Sequence, residues 1–241
     1  MPRSARIVIP GLPHHVTQRG NRRQQVFFCV EDYRSYLKFM VSSLEAFSVG
    51  LLSYCLMPNH IHLLVVPPSE SSLRESVGNA HQSYTRFINN RQSWQGHLWQ
   101  GRFFSCSVEP SGAPLVARYI ELNPIRAGMV NDPRSYPWSS ASQACQGGSD
   151  GRSGFADIFA PSDSWAAFLR EGIENPSRDF GKKLQTSTRT GRPLGSSKFI
   201  QEMELETGLV LEKKTPGRKA NNRSPHGALP NQYSISRVSP I

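Results

Sequence analysis

The stretch Leu51–Pro67, LLSYCLMPNHIHLLVVP, decides the fold. Two short apolar runs flank the tetrad Met57-Pro58-Asn59-His60. Both runs are rich in strand-favouring residues and Pro-Asn is turn chemistry, so the pattern predicts two antiparallel strands joined tightly. Along a strand, residues i and i+2 share a face. His60 and His62 therefore stand side by side, with Ile61 pointing the other way into a core. Two neutral imidazoles on one face of a rigid strand can hold a divalent metal. The same pair can equally cap a strand end, so the rest of the chain has to discriminate.

A length of 241 residues suffices for one good core plus additions. The net charge of +10 and pI near 9.8 point to a polyanionic partner, most simply nucleic acid or an anionic membrane. No apolar run approaches the roughly 18–20 residues of a membrane span. Residues 1–30 lack a continuous apolar stretch, so no signal peptide is expected. Cys29, Cys55, Cys106 and Cys145 show no C-x-x-C spacing, which predicts reduced thiols and a cytoplasmic protein. There is no internal repeat, P-loop or G-x-G-x-x-G.

Working outward, residues 1–30 carry Arg3, Arg6, Arg19, Arg22 and Arg23 and no acid. His14–Arg19 reads as a first strand, and the basic loop leaving it suits phosphate contacts. Glu31–Phe47 reads as a helix, with Tyr33, Tyr36, Leu37, Met40, Val41, Leu44 and Phe47 on one apolar face. Ser72 and Glu75 have capping-box spacing. Leu73, Val77, Ala80, Tyr84, Phe87 and Ile88 mark a second amphipathic helix. His81 within it is expected to pack rather than ligate. His97–Glu109 resembles a fourth strand. A third helix, with Pro114 in its first turn, runs to Asn123 and must stop or kink at Pro124. It places Tyr119 and Asn123 four apart on one face. Tyr136 and Trp138 are expected to pack back on the core.

The order strand, helix, strand, strand, helix, strand, helix is the ferredoxin-like (RRM-like) pattern. The expectation is an α+β fold, an antiparallel sheet with helices on one face, plus a basic C-terminal extension. Residues 1–145 would form the main domain. Residues 146–180 read as a linker with a short helix around Asp163–Gly172. Residues 181–223 carry ten Lys/Arg against four Glu, with a small helix over Lys198–Thr207. Residues 224–241 are expected to be disordered.

A resemblance sharpens this reading. MPRSARIVIPGLPHHVTQRGNRRQ, MPNHIHLLVVP, LWQGRF, ARYIELNPIRAGMV and YPWSS occur in the order and spacing of the single-tyrosine HUH transposases. More narrowly they resemble the REP-associated tyrosine transposases of bacteria, over roughly the first 145 residues. TGRPLGSSKFI resembles that subgroup's C-terminal extension. The resemblance implies nicking and rejoining of single-stranded DNA at or beside hairpins, in the cytoplasm and at the nucleoid. It implies His60 and His62 as metal ligands, Tyr119 as nucleophile and Asn123 as a third polar group at the metal. The other branch of the family usually has glutamine there, and asparagine is shorter. Mg2+ or Mn2+ is implied on family grounds, although two imidazoles equally accept zinc, nickel or copper.

An unperturbed phenol has a pKa near 10, so it needs a metal or base nearby to attack phosphorus. Candidate backbone contacts are Arg19, Arg22, Arg23 and Arg102. Arg192 and Lys198, with Arg189, Lys213, Lys214, Arg218 and Lys219, are candidates to hold flanking DNA. Two other readings compete: an inactive nucleic-acid-binding relative, and a water-using metal nuclease in which Tyr119 is structural. A monomer requires Tyr119 in cis, whereas a homodimer allows it in trans.

Overall fold

The structure, a computed structural model, describes residues 6–144 and 162–212. Four strands, β1 (His14–Arg19), β2 (Gly50–Met57), β3 (His60–Val66) and β4 (Phe104–Ser107), form one sheet in the order β2-β3-β1-β4. Every paired neighbour is antiparallel. The helices are α1 (Val30–Ala46), α2 (Ser72–Gln92), α3 (Ala113–Glu121), α4 (Asn123–Arg126), α5 (Ser140–Ala144), α6 (Ser162–Glu174), α7 (Arg178–Thr190) and α8 (Ser197–Thr207). This is the expected α+β ferredoxin-like arrangement.

The two-residue turn at Pro58-Asn59 is fixed from outside the hairpin. The Pro58 carbonyl accepts from the Val26 and Phe27 amides, and the Asn59 carbonyl accepts from the Gly20 amide at 2.9 Å. A Cβ at Gly20 would sit 2.3 Å from the Gln24 carbonyl oxygen, so this approach requires glycine. The loop after it holds Arg22 and Arg23 at φ of +52° and +63°, a left-handed conformation uncommon for arginine.

Strand alternation gives the sheet two unlike faces. Val16, Leu56, Ile61, Leu63 and Val65 pack with Phe27, Tyr36, Met40, Val77 and Tyr84 of α1, α2 and the loop before α1. On the opposite face Cys55, Leu64 and Cys106 join Val116 and Ile120 of α3, Trp165 and Leu169 of α6, and Leu184 of α7. Of the three expected helices, α1 and α2 lie on the first face, whereas α3 packs on the second, which the C-terminal segment also partly covers, so the helices are not confined to one face as expected. That segment also covers a sheet edge. Leu194 runs parallel to Val108, donating to the Ser107 carbonyl and accepting from the Glu109 amide. The other edge is covered where the Leu56 amide donates to the Trp138 carbonyl at 2.8 Å.

Several boundaries differ from expectation. The fourth strand spans only Phe104–Ser107, because Gly101 at φ +144° interrupts the extended run. Ser72 begins α2 rather than capping it, since its hydroxyl and amide bond back to Ser69. Helix α7 spans residue 181, where the extension was expected to begin. The helices expected near 163–172 and 198–207 are α6 and α8, the latter ending at Gly208 with φ +67°. The tail 224–241, Cys145, residues 146–161 of the expected linker, and Lys213, Lys214, Arg218 and Lys219 lie outside the described residues.

Candidate active site on the second face of the sheet

Register builds the site. His62 lies opposite Thr17 and His60 opposite Arg19 on β1, with Cys55 and Met57 on β2 beyond them. His15, two residues before Thr17, is on the same face. The His60 and His62 rings lie edge-on with centroids 5.0 Å apart, while His15 stacks on His62 at 5.3 Å. Helix α3 brings Tyr119 over them, its ring centroid 6.2 Å from His62 and 6.4 Å from His15. Tyr119 is half-buried, so its hydroxyl is not sealed in the interior. Val116 and Ile120, on the neighbouring row, bury against the sheet and aim Tyr119.

The imidazoles are held neutral. Burial pushes His15 down to about 3, and burial with the nearby Arg19 charge pushes His60 down to about 4. His62 lies well below the usual histidine value, from burial and then from the facing His15, His60, Arg126 and Arg19. Neutral rings are the metal-binding form. His60 Nδ1 lies 2.6 Å from Asn59 Oδ1, and Asn59 Nδ2 donates to the Arg23 carbonyl, which fixes the amide orientation. His60 therefore carries its proton on Nδ1. Among the described residues no group of three His, Cys, Asp or Glu side chains is arranged around a metal position. The imidazole pair could supply two nitrogen ligands to a divalent cation.

Around Tyr119 the structure adds groups that lie outside the expected set. The Arg126 guanidinium sits 4.0 Å over the Tyr119 ring and also donates to the Tyr119 carbonyl. Gln185 of α7 donates to the Tyr119 hydroxyl at 2.9 Å. Gly181, one turn earlier, lets the ring approach: a Cβ there would lie 3.1 Å from Tyr119 Cε2. A cleft of about 570 Å³ opens beside Tyr119, with Arg126, Arg178 and Lys182 among its lining residues.

Asn123 behaves differently from the histidines. Its amide nitrogen donates to the Tyr119 and Ile120 carbonyls, at 3.2 and 3.0 Å, where Pro124 breaks the helix. Among the described residues no hydrogen bond joins it to His60 or His62.

The expected DNA contacts fall into separate groups. Arg19 and the Arg22–Arg23 loop are exposed beside His60. Arg102 is exposed near Arg6, whose guanidinium is brought down to about 10 by burial and then by Arg102 and Arg74. Arg192 is half-buried in the turn after α7. Lys198 starts α8, whose Phe199 and Met203 pack on Ile9, and it lies 3.8 Å from Glu202. Ile9 precedes β1 while Arg19 ends it, so Lys198 sits toward the opposite end of the sheet from His60. The fold does not gather these basic residues into one patch.

His15, Arg126, Gln185 and Thr188 escaped the sequence reading. His15 had a readable signal, since strand parity puts it on the face of Thr17 and Arg19. Arg126 lies seven residues beyond Tyr119, in the same ARYIELNPIRAGMV stretch. Nothing local marks Gln185 or Thr188.

A ferredoxin-like sheet with an H-x-H pair on one face and a tyrosine-bearing helix across it agrees with what the motif resemblance implies. Residues 9–123 match the family described as Transposase IS200 like. Over those residues the chain is similar to a family of single-tyrosine HUH endonucleases, whose members nick single-stranded DNA and typically use a divalent metal. A Haemophilus influenzae protein provisionally named a REP-associated tyrosine transposase is 25% identical over 122 residues, covering 46% of this chain and 68% of that protein. A solved REP-associated tyrosine transposase bound to a REP hairpin aligns with a TM-score of 0.49 and 17% identity, over 61% of this chain and 86% of the other. A Deinococcus radiodurans protein described as a transposase aligns at a TM-score of 0.36 and 18% identity, over 50% and 96% of the two chains. The family match ends at Asn123, so Arg126 and helices α6, α7 and α8 lie beyond it. Among the described residues no helix is long and apolar enough to cross a membrane.

Proposed function

We propose that this chain nicks and rejoins single-stranded DNA, at or beside hairpin-forming repeats, through a 5′-phosphotyrosine on Tyr119. The observation that carries the reading is the approach of Tyr119, edge-on and half-exposed, to within 6.2 Å of the neutral His62 ring. His60 and His62 would hold Mg2+ or Mn2+, which supplies Lewis acidity at a non-bridging oxygen of the scissile phosphate.

Tyr119 Oη then attacks phosphorus in line. The new P–Oη bond forms as the P–O3′ bond breaks, leaving a free 3′-OH and the 5′ end on the tyrosine. The phenol proton leaves to solvent and the departing 3′ oxygen gains one. Retaining the phosphodiester on the enzyme keeps it available for rejoining, which hydrolysis would forfeit. Gln185 orients the hydroxyl, and Arg126 over the ring favours the negative charge that develops on it. Asn123 acts through its hold on the end of α3, so that ligation rests on the two imidazoles. Arg19, Arg22 and Arg23 contact phosphates beside His60, and Arg102, Arg192 and Lys198 lie along paths for flanking DNA. The same-chain approach of Tyr119 to His62 supports assembly in cis.

The hairpin preference is supported by the motif resemblance and by the name of the Haemophilus influenzae relative. A denaturing gel on a hairpin-bearing single strand with Mg2+ or Mn2+ tests the reading. Wild type forms a covalent adduct, and Tyr119→Phe lowers it on the order of 10³-fold or more without changing the melt. Cleavage without adduct in both proteins would instead support a water-using nuclease. Binding without cleavage by the wild type would support an inactive DNA-binding relative.

A further inference from the structure

We propose that Thr188, on a helix beyond the transposase match, is a positioning residue for the metal site: through His15 it sets His62 with its proton on Nδ1 and a bare Nε2 for ligation. The inference rests on the reading of His60 and His62 as the metal pair.

The positions of three protons fix the polarity of the chain. Thr188 Oγ1 donates to the Leu184 carbonyl one turn back in α7, at 2.8 Å. With its hydrogen committed there, Thr188 can only accept from His15 Nδ1, which lies 2.7 Å away. His15 Nδ1 therefore carries the proton. A neutral imidazole has one, so His15 Nε2 is an acceptor. It faces His62 Nδ1 at 3.1 Å, and the proton of that bond must come from His62. His62 then has a bare Nε2. Cys106 Sγ, 3.4 Å from Thr188 Oγ1, can donate to the hydroxyl's other lone pair without altering the sequence of bonds.

Burial makes the chain obligatory: His15, Thr188 and His62 are 1%, 3% and 7% exposed. The atoms that join Thr188, His15 and His62 must therefore pair with one another. The reversed polarity, with Thr188 donating to His15, would end with a proton on His62 Nε2 and would block ligation. The Thr188–Leu184 bond selects against it.

The two imidazoles thus receive the same tautomer by different routes. His60 is set by its sequence neighbour Asn59, whereas His62 is set by a residue 126 positions downstream. Helix α7 makes this hold as one face, with Gly181 under the Tyr119 ring, Gln185 on its hydroxyl and Thr188 on His15. Partners of this kind, one bond removed from a ligating histidine, typically change metal affinity 10–100-fold when lost.

The experiment compares wild type, Thr188→Val and Thr188→Ser as full chains. Histidine tautomers are read from 15N NMR of the metal-free protein, and Mn2+ affinity from calorimetry. Wild-type His62 should show a protonated Nδ1. Thr188→Val should mix the two tautomers and weaken Mn2+ binding by about 10-fold, and Thr188→Ser should restore both. His15→Phe, which removes the middle of the chain while filling its space, should match the valine variant and covers a folding defect in it. A valine variant with wild-type tautomer and affinity, or a wild-type His62 protonated on Nε2, overturns the proposal alone. Failure of the wild type to bind Mn2+ overturns the metal pair itself, and this proposal with it.

Discussion

The two faces of the sheet are made by alternate residues of the same strands, yet they are built to opposite ends. Ile61 is fully buried against α1 and α2, between His60 and His62, which face the cleft side. The first face is dry and aromatic: Phe27, Tyr36 and Tyr84 meet at centroid distances of 5.1 to 5.5 Å. Two of its buried hydroxyls are paired inward: Tyr84 Oη donates to the Val26 carbonyl at 2.6 Å and Tyr36 Oη meets His81 Nε2 at 3.0 Å. The second face gathers imidazoles, a phenol and a guanidinium and leaves Tyr119 half-exposed. One face supplies rigidity so that the other can hold groups whose polar atoms await a ligand.

The contrast breaks most clearly on adjacent residues. Ile61→Ala should cost about 2–5 kcal/mol of stability, because a buried side chain leaves a cavity. His62→Ala should cost far less stability but remove metal-dependent adduct formation. Denaturant melts beside the adduct gel check the pair, and equal stability losses would erase the division of labour.

Acid should act through two buried rings of the first face, His81 on α2 and His14, which shares its side of β1 with Val16. Burial brings His81 down to about 3, and His14 down to about 4 by burial against a bond to the Leu12 carbonyl. His14 Nε2 accepts from the Ile9 amide, so protonation there takes away that acceptor. Both folded values lie below the free value near 6.5. The unfolded chain therefore binds more protons below that pH, and the stability present above about 6.5 is lost as the pH falls toward 4 and then 3. The loss should reach a few kcal/mol, on the order expected for shifts of this size. Melting temperatures from pH 7.5 to 4 read it out, and a flat profile would contradict it.

The smallest effect sharpens the contrast at the docking of the extension. Glu121, the last residue of α3, is buried, pushed up to about 6 by burial, and accepts from Ser53, Ser140 and Trp165. Trp165→Phe leaves the apolar packing of α6 and removes the donor 2.8 Å from Glu121 Oε2. A loss of about 1–3 kcal/mol is expected. Proteolysis should then release the segment beyond residue 162 sooner, with the α1/α2 face unaffected.

What was legible in the sequence follows from the range of each interaction. The hairpin, the H-x-H face and the apolar faces of α1 and α2 depend on periods of 2 and 3.6 and on a two-residue turn. The break at Pro124 needs no partner either. Strand β4 was overestimated because glycine's positive φ at 101 leaves no mark in an apolar-aromatic run. The capping spacing at Ser72 and Glu75 misled because Ser69, three residues earlier, competed for the same bonds. Asn123 illustrates the limit within the site: its position on the Tyr119 face was readable, but its commitment to helix carbonyls was not.

The sequence by itself determined the ferredoxin-like order, the pairing of His60 with His62 and the helical setting of Tyr119, since each arises between residues a few positions apart. Only the tertiary structure decided that His15 stacks behind His62 and that α7 closes on Tyr119 and His15 through Gly181, Gln185 and Thr188. The physical reason is separation: Thr188 and His15 lie 173 positions apart, and their bond exists because an apolar helix face buries against the sheet.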